Sequence, residues 1–206
     1  SFKYSNSLII CFGSVILTYA PKIDTFLNQR NQLRLVNFFM ESVPYDKRSG
    51  KIWFNGAPIN WSDVKIHVLS HGLHYASCVF EGERVYDGSI FKLEEHTERL
   101  FHSADRMGFK IPYSQDTLNK ATKEIVEIQK IKNGYVRPIA WRGSEMMAIS
   151  AQQTKINVAI AAWEWGPYYD INKGIKLNIS KWKRPAPDTI PWDTKASGLY
   201  MICTLS

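Results

Sequence analysis

The sequence predicts an α+β fold, on three observations. Two turn dipeptides, Asn55-Gly56 and Asp87-Gly88, each sit between alternating apolar residues, the pattern of a β-hairpin. Two later stretches carry apolar residues at helical spacing. Strands and helices do not alternate as a regular parallel βαβ array would require.

Composition agrees with a folded chain. Of 206 residues, 45% are apolar and 22% charged, which excludes disorder, a collagen-like repeat and a disulfide scaffold. The 27 aromatic residues suffice for a large core and a lined pocket. The length suits one large domain, or one complete domain with part of another.

The first element is the least typical. Residues 8–20 read LIICFGSVILTYA, thirteen mostly apolar residues without a charge. A membrane span needs roughly 20. The stretch has the length of a signal-peptide core, but only Lys3 precedes it and no clean A-x-A site follows. Residues 1–39 are expected to be an extension foreign to the domain, with Met40 as a natural start; a signal peptide is the lesser alternative.

The remaining elements follow in order. Residues 51–59 form the first hairpin and residues 79–91 the second. Leu93, His96, Leu100, Ala104 and Met107 outline a helix that Gly108 ends. Leu118, Ala121, Ile125 and Ile128 outline another, started near Ser114 or Asp116 and stopped by Asn133-Gly134. Residues 135–141, 156–163 and 175–179 read as strands. Pro185, Pro187 and Pro191 forbid regular structure before Lys195.

Charge and cysteines narrow the function. The net charge is +7, of which +3 lies in residues 1–39, and no block of five Lys or Arg occurs. That leaves no nucleic-acid footprint, while anionic small substrates suit the balance. Cys11, Cys78 and Cys203 are widely spaced, which predicts free thiols and a reducing, cytoplasmic compartment. GxGxxG, GxxxxGK and GxSxG are all absent, against a dinucleotide domain, a P-loop and a nucleophile elbow.

Several residues stand out chemically. His67, His71 and His74 share one helical face, but no Glu, Asp or Cys completes a metal set, and hydrogen-bonded histidines are preferred. Lys195 follows a proline-stiffened loop and precedes Ala196-Ser197-Gly198, with Tyr200 five residues on. Small neighbours, a phenol and nearby cations suit Schiff-base chemistry. On spacing alone a solvated surface lysine is the commoner outcome. Arg99 could bind a phosphate bidentately, or pair with Glu95 on its own helix. Arg137 lies within an apolar strand, where a charge needs a partner, and so is a candidate carboxylate anchor. Trp165 and Tyr168 suit a pocket wall and core packing equally.

The pieces together resemble one family. IWFNG, HVLSHGLHYASCVFEG, FKLEEHTERLFHSA, YVRPIAWRG, AIAAWEWGPY and RPAPDTIP…KASGLY run in its order and cover nearly everything after Met40. From about residue 51 the chain resembles the class IV, fold-type IV aminotransferases, which use pyridoxal 5′-phosphate, and within them the bacterial branched-chain group.

The resemblance implies a D-amino acid aminotransferase-like fold, with a small α+β domain over 40–173 and the start of a second, α/β cofactor-binding domain over 174–206. It implies that Lys195 holds the cofactor covalently and moves the proton, that Arg99 binds the cofactor phosphate, and that Tyr200 meets its phenolic oxygen. Phe80, Tyr135, Trp165 and Tyr168 match residues around an aliphatic side chain, and Arg137 matches the arginine for a distal carboxylate. Tyr75 and Ile149 match residues that reach a neighbouring subunit's pocket, which implies a dimer or higher oligomer.

Transamination of leucine, isoleucine and valine with 2-oxoglutarate is the activity implied. D-amino acid aminotransferase and aminodeoxychorismate lyase share the fold and remain alternatives. The family's glutamate for the pyridine nitrogen has no counterpart up to Ser206. An inactive, truncated fragment or a binding module is therefore the further expectation for the chain as written.

Overall fold

The computed structural model of the protein describes residues 8–12, 15–19, 43–167, 169 and 172–206. Strands β1 (Leu8–Phe12) and β2 (Val15–Tyr19) form an antiparallel pair by themselves. No helix among the described residues is long and apolar enough to cross a membrane.

A seven-stranded sheet carries the rest of the architecture. Strands β3 (Lys51–Phe54) and β4 (Ala57–Asn60) form the first predicted hairpin, with Asn55 at φ +48° and Gly56 at φ +109°. Two consecutive positive φ values define the tight turn whose twist matches paired strands, which is why Asn-Gly stands there. Strands β8 (Gly134–Arg142) and β9 (Ile156–Glu164) pair over nine residues, and β3 joins β9 on the other side.

The second predicted hairpin is shorter than its sequence suggested. Strands β6 (Glu83–Tyr86) and β7 (Ser89–Ile90) turn at Asp87-Gly88, but β5 (Cys78–Phe80) stands apart from them. Both β5 and β6 lie along β8, as one strand broken at Glu81-Gly82. Two helices cover the sheet. Helix α2 (Leu93–Arg106) ends before Gly108, which takes φ +73°. Helix α3 (Gln115–Ile128) starts where Ser114 Oγ accepts the Thr117 N–H. It ends earlier than Asn133-Gly134 suggested, because Lys130 already adopts φ +53°, and Gly134 opens β8 instead. Two short helices, α1 (His71–Tyr75) and α4 (Met201–Leu205), complete the set.

Residues 175–179 form no strand. No described strand lies beside them to supply ladder hydrogen bonds, and Leu177 and Ile179 are exposed. Cys78 is a buried free thiol, whereas Cys203 is disulfide-bonded, a correction to three free thiols. Sequence spacing does not reveal which cysteines a fold brings together.

The alternation of β8 sets up the site. Gly134, Val136, Pro138 and Ala140 are buried, while Tyr135, Arg137 and Ile139 between them are only half-buried. Of the first set, Val136 and Ala140 join Val79, Val85, Leu100, Leu118, Ile125 and Ile160 in the core under α2 and α3. On the opposite face a smaller cluster forms around Ile52, Trp61 and Trp141.

Candidate active site

Lys195 is held at both of its main-chain polar groups. Its N–H donates to Ser103 Oγ on α2 at 3.0 Å, and its carbonyl accepts from the Phe80 N–H on β5 at 3.1 Å. Ala196 forms an isolated bridge with Val79. The proline-rich loop before it is anchored by Asp193, which meets His102 and Arg106 on α2 at 3.3 and 3.4 Å. Burial acts to raise the Asp193 carboxyl; a main-chain hydrogen bond, His102 and Arg106 overcome it and hold the group below the usual carboxylate range. The chain thus lays the lysine between the sheet edge and a helix, two rigid supports for a long side chain.

The lysine amine donates to Tyr200 Oη at 2.8 Å and lies 4.9 Å from the centres of both the Tyr200 and Phe80 rings. Gly198 packs against Ala76, whose methyl would be 3.0 Å from an added Cβ. The short helical turn over Ser197–Tyr200 therefore needs the small residue noted in the sequence. Phe80 is the hinge of the arrangement. Its ring also meets Tyr200 at 4.9 Å, and the Arg137 guanidinium lies 4.6 Å above it.

From Phe80 the site runs along the half-buried face of β8. Arg137 Nη2 donates to Tyr135 Oη at 3.0 Å, and no carboxylate lies within ion-pair distance of Arg137 among the described residues. Tyr135 packs on Trp163 and Trp165, with ring centres 5.3 and 5.0 Å away. Gly82 makes room for this wall: an added Cβ would fall 1.7 Å from Tyr135 Oη. Sequence reasoning passed over Gly82 and Ser103. The FEG run held the only local signal for the first, and nothing local marks the second.

Arg99 differs from its helical expectation. It takes Glu81 bidentately, Nε to Oε1 at 2.6 Å and Nη2 to Oε2 at 2.7 Å, while Glu95 pairs with Lys92. Glu81 is fully buried, and His96 Nδ1 meets its Oε2 at 2.8 Å. Burial alone would raise the Glu81 carboxyl. The hydrogen bonds from Arg99 and His96, with the charges of Arg99 and Lys195, overcome that and hold it below the usual range. Arg99 itself is pushed up, first by its bond to Glu81, and its side chain stays 51% exposed. A guanidinium fixed on one edge and open on another can receive an anion.

The other sequence candidates separate. Tyr75 packs on His71 and is partly exposed, and Ile149 is 87% exposed, both away from Lys195 contacts. Tyr168 lies outside the described residues. The three histidines take different main-chain partners: His71 meets Ala148 O, His74 meets Val68 O, and His67 accepts from the Leu69 N–H. No group of three metal-ligating side chains occurs among the described residues. A cavity of about 310 Å³ lies elsewhere, beside Gly108, Lys110 and Arg142.

A lysine amine against a phenol, with an arginine on the neighbouring helix and an aromatic wall, suits amine chemistry on an α+β fold. The chain belongs to the amino-transferase class IV family, which matches residues 78–203. A probable branched-chain-amino-acid aminotransferase of Rickettsia felis is 40% identical over 155 residues, covering 75% of this chain and 53% of that protein. The branched-chain-amino-acid aminotransferase of Pseudomonas aeruginosa is 41% identical over 161 residues, covering 75% and 52%. Among solved structures, the Escherichia coli branched-chain amino acid aminotransferase superposes with a TM-score of 0.71 at 37% identity, covering 77% of this chain and 54% of that one. The branched-chain aminotransferase of the thermophilic archaeon Thermoproteus uzoniensis, solved with norvaline, gives 0.71 at 32% identity, covering 77% and 54%. The chain spans about half the length of the curated relatives it matches.

Proposed function

We propose that the protein acts in pyridoxal 5′-phosphate-dependent transamination of leucine, isoleucine and valine with 2-oxoglutarate, giving branched 2-oxo acids and glutamate. The observation that carries the reading is the Lys195–Tyr200 hydrogen bond, set beside Arg99 in a chain of the class IV family. The donor set fits this cofactor: an amine for its aldehyde, a phenol for its ring oxygen, and a guanidinium for its phosphate. Bound there, the cofactor would supply an electron sink for the pair left when an amino acid loses its α-proton.

The residues of this chain do the rest. Lys195 Nζ would hold the cofactor and carry the α-proton, kept in place by Tyr200 Oη and by its anchored main chain. Arg99 binds the phosphate with N–H groups that Glu81 does not take. Phe80, Tyr135 and Trp165 wall off water and receive an aliphatic side chain. Arg137, which has no carboxylate partner among the described residues, pairs with the distal carboxylate of glutamate or 2-oxoglutarate. Residues 40–173 would form the small domain and 174–206 open the cofactor-binding one, with 1–39 as an extension.

A second copy of the chain belongs to the same reading. Val68, Leu73, Tyr75 and Ile149 are exposed apolar residues, and burying such a surface against a partner would bring Tyr75 and Ile149 to its site.

Borohydride trapping with pyridoxal 5′-phosphate, followed by peptide mapping, tests the site. The adduct is expected on Lys195, and an adduct on another lysine sinks the assignment. A donor panel of L-leucine, D-alanine and aminodeoxychorismate tests the substrate; preference for either of the last two would move the protein to a different activity of the same fold.

A further inference from the structure

Arg142, at the end of β8, is a buried charge that no acid matches. It is 9% exposed, and its three hydrogen bonds run to uncharged oxygens: Ala151 O, Thr154 Oγ1 and Gly108 O. A guanidinium carries five N–H groups, so two of them have no partner among the described residues. Nor does any carboxylate among those residues lie within ion-pair distance of Arg142 or of Lys110 nearby.

Arg142 lines the cavity of about 310 Å³, together with Lys110, Gln152, Asp105 and Phe109. Small-molecule sites span about 300–1,000 Å³, so this one suits a small ligand. Gln152 accepts the Ser150 hydroxyl at its Oε1, which leaves its amide N–H groups without a partner among the described residues. Two cations against Asp105 leave the lining with an excess of positive charge. A buried charge is costly until it is paired, and the planar fork of a guanidinium matches two oxygens of one anion.

We propose that this cavity is a binding site for a small oxyanion, a phosphate or carboxylate group paired with Arg142 and Lys110. It is separate from the lysine site, since none of Phe80, Arg99, Lys195 and Tyr200 lines it. Arg142 already ties the turn at Gly108 after α2 to residues 151–154 before β9. An anion that neutralises it stabilises that junction, because a ligand held only by the folded chain favours folding.

The test titrates the full chain and three variants with inorganic phosphate and, separately, with acetate, at constant ionic strength. Calorimetry reads affinity, and thermal unfolding reads the gain in stability. Lys110→Glu, at an exposed position, is expected to weaken binding about tenfold, and Asp105→Asn to strengthen it about threefold. Arg142→Met is expected to abolish it in the folded fraction. A gain in Asp105→Asn is a result that misfolding does not imitate, and the tighter of the two probes identifies the head group. Phosphate held at Arg99 instead would bind equally to the unchanged chain, Lys110→Glu and Asp105→Asn, and that result overturns the proposal. So does the lack of saturable binding of either probe by the unchanged chain. Trapping of pyridoxal 5′-phosphate on Lys195 is read in parallel, so failure here and failure of the proposed function are distinguishable.

Discussion

Ser103 Oγ accepts the Lys195 N–H at 3.0 Å across 92 residues of sequence, and Ser103 is fully buried. The bond ties the lysine to the last turn of α2 rather than to its own loop. Ser103→Ala would leave a part-buried N–H unpaired, a loss of about 1–3 kcal/mol. Denaturant unfolding should register that loss, and trapping of pyridoxal 5′-phosphate on Lys195 should slow with it. Unchanged trapping would show that the lysine is positioned by the Phe80 pairing alone.

Gly82 and Tyr135 provide a packing test. Gly82→Ala places a methyl where the Tyr135 hydroxyl lies, and the ring must move away from Trp165. Overpacking of this kind costs roughly 1–3 kcal/mol. Combining it with Tyr135→Ala should restore part of the stability, a coupling that a double-mutant cycle measures.

Glu83 makes stability depend on pH with a definite sign. Burial, then the charges of Glu81 and Glu94, push its carboxyl up to about 8 from the ordinary 4.5, so the fold holds a proton that the unfolded chain releases. Its contribution is whole below about pH 4.5 and is lost as pH rises through about 8. Glu83→Gln removes this slope and should be more stable than the unchanged chain at neutral pH, by on the order of 2–4 kcal/mol. Urea titrations across that window check it; identical pH profiles would place the proton elsewhere.

Arg142 is a structural clamp distant from the lysine. It donates to Ala151 O at 2.7 Å, Thr154 Oγ1 at 3.3 Å and Gly108 O at 2.6 Å. Arg142→Met should cost roughly 1–3 kcal/mol, since two buried and one part-buried hydrogen bond are lost while Ala151 O keeps its bonds from Thr154. The folded fraction of the variant should still trap pyridoxal 5′-phosphate on Lys195 at the unchanged rate.

What the sequence revealed was what local chemistry decides. Asn55-Gly56 and Asp87-Gly88 require positive φ whatever surrounds them, and the apolar spacing from Leu93 to Ala104 needs only a core to face. Lys195 and Tyr200 were legible for the same reason, being five residues apart. The Glu81–Arg99 pair was not: Glu95 lies one helical turn before Arg99, and nothing local says that Lys92 takes it instead. Ser103 looked like any small helix residue until a loop 92 positions later came to rest on it. Residues 175–179 erred the other way, since β-forming side chains make a strand only when another strand lies alongside.

The strict alternation along β8 has an evolutionary meaning. Tyr135 and Arg137 can be exchanged one at a time without entering the core that Val136 and Ala140 fill, whereas Ile139 packs on the smaller cluster around Trp141. A single inserted or deleted residue would swap the two sets, sending an arginine into the interior and a valine to the half-buried face. That face can change by substitution, but a length change in this strand is closed to it.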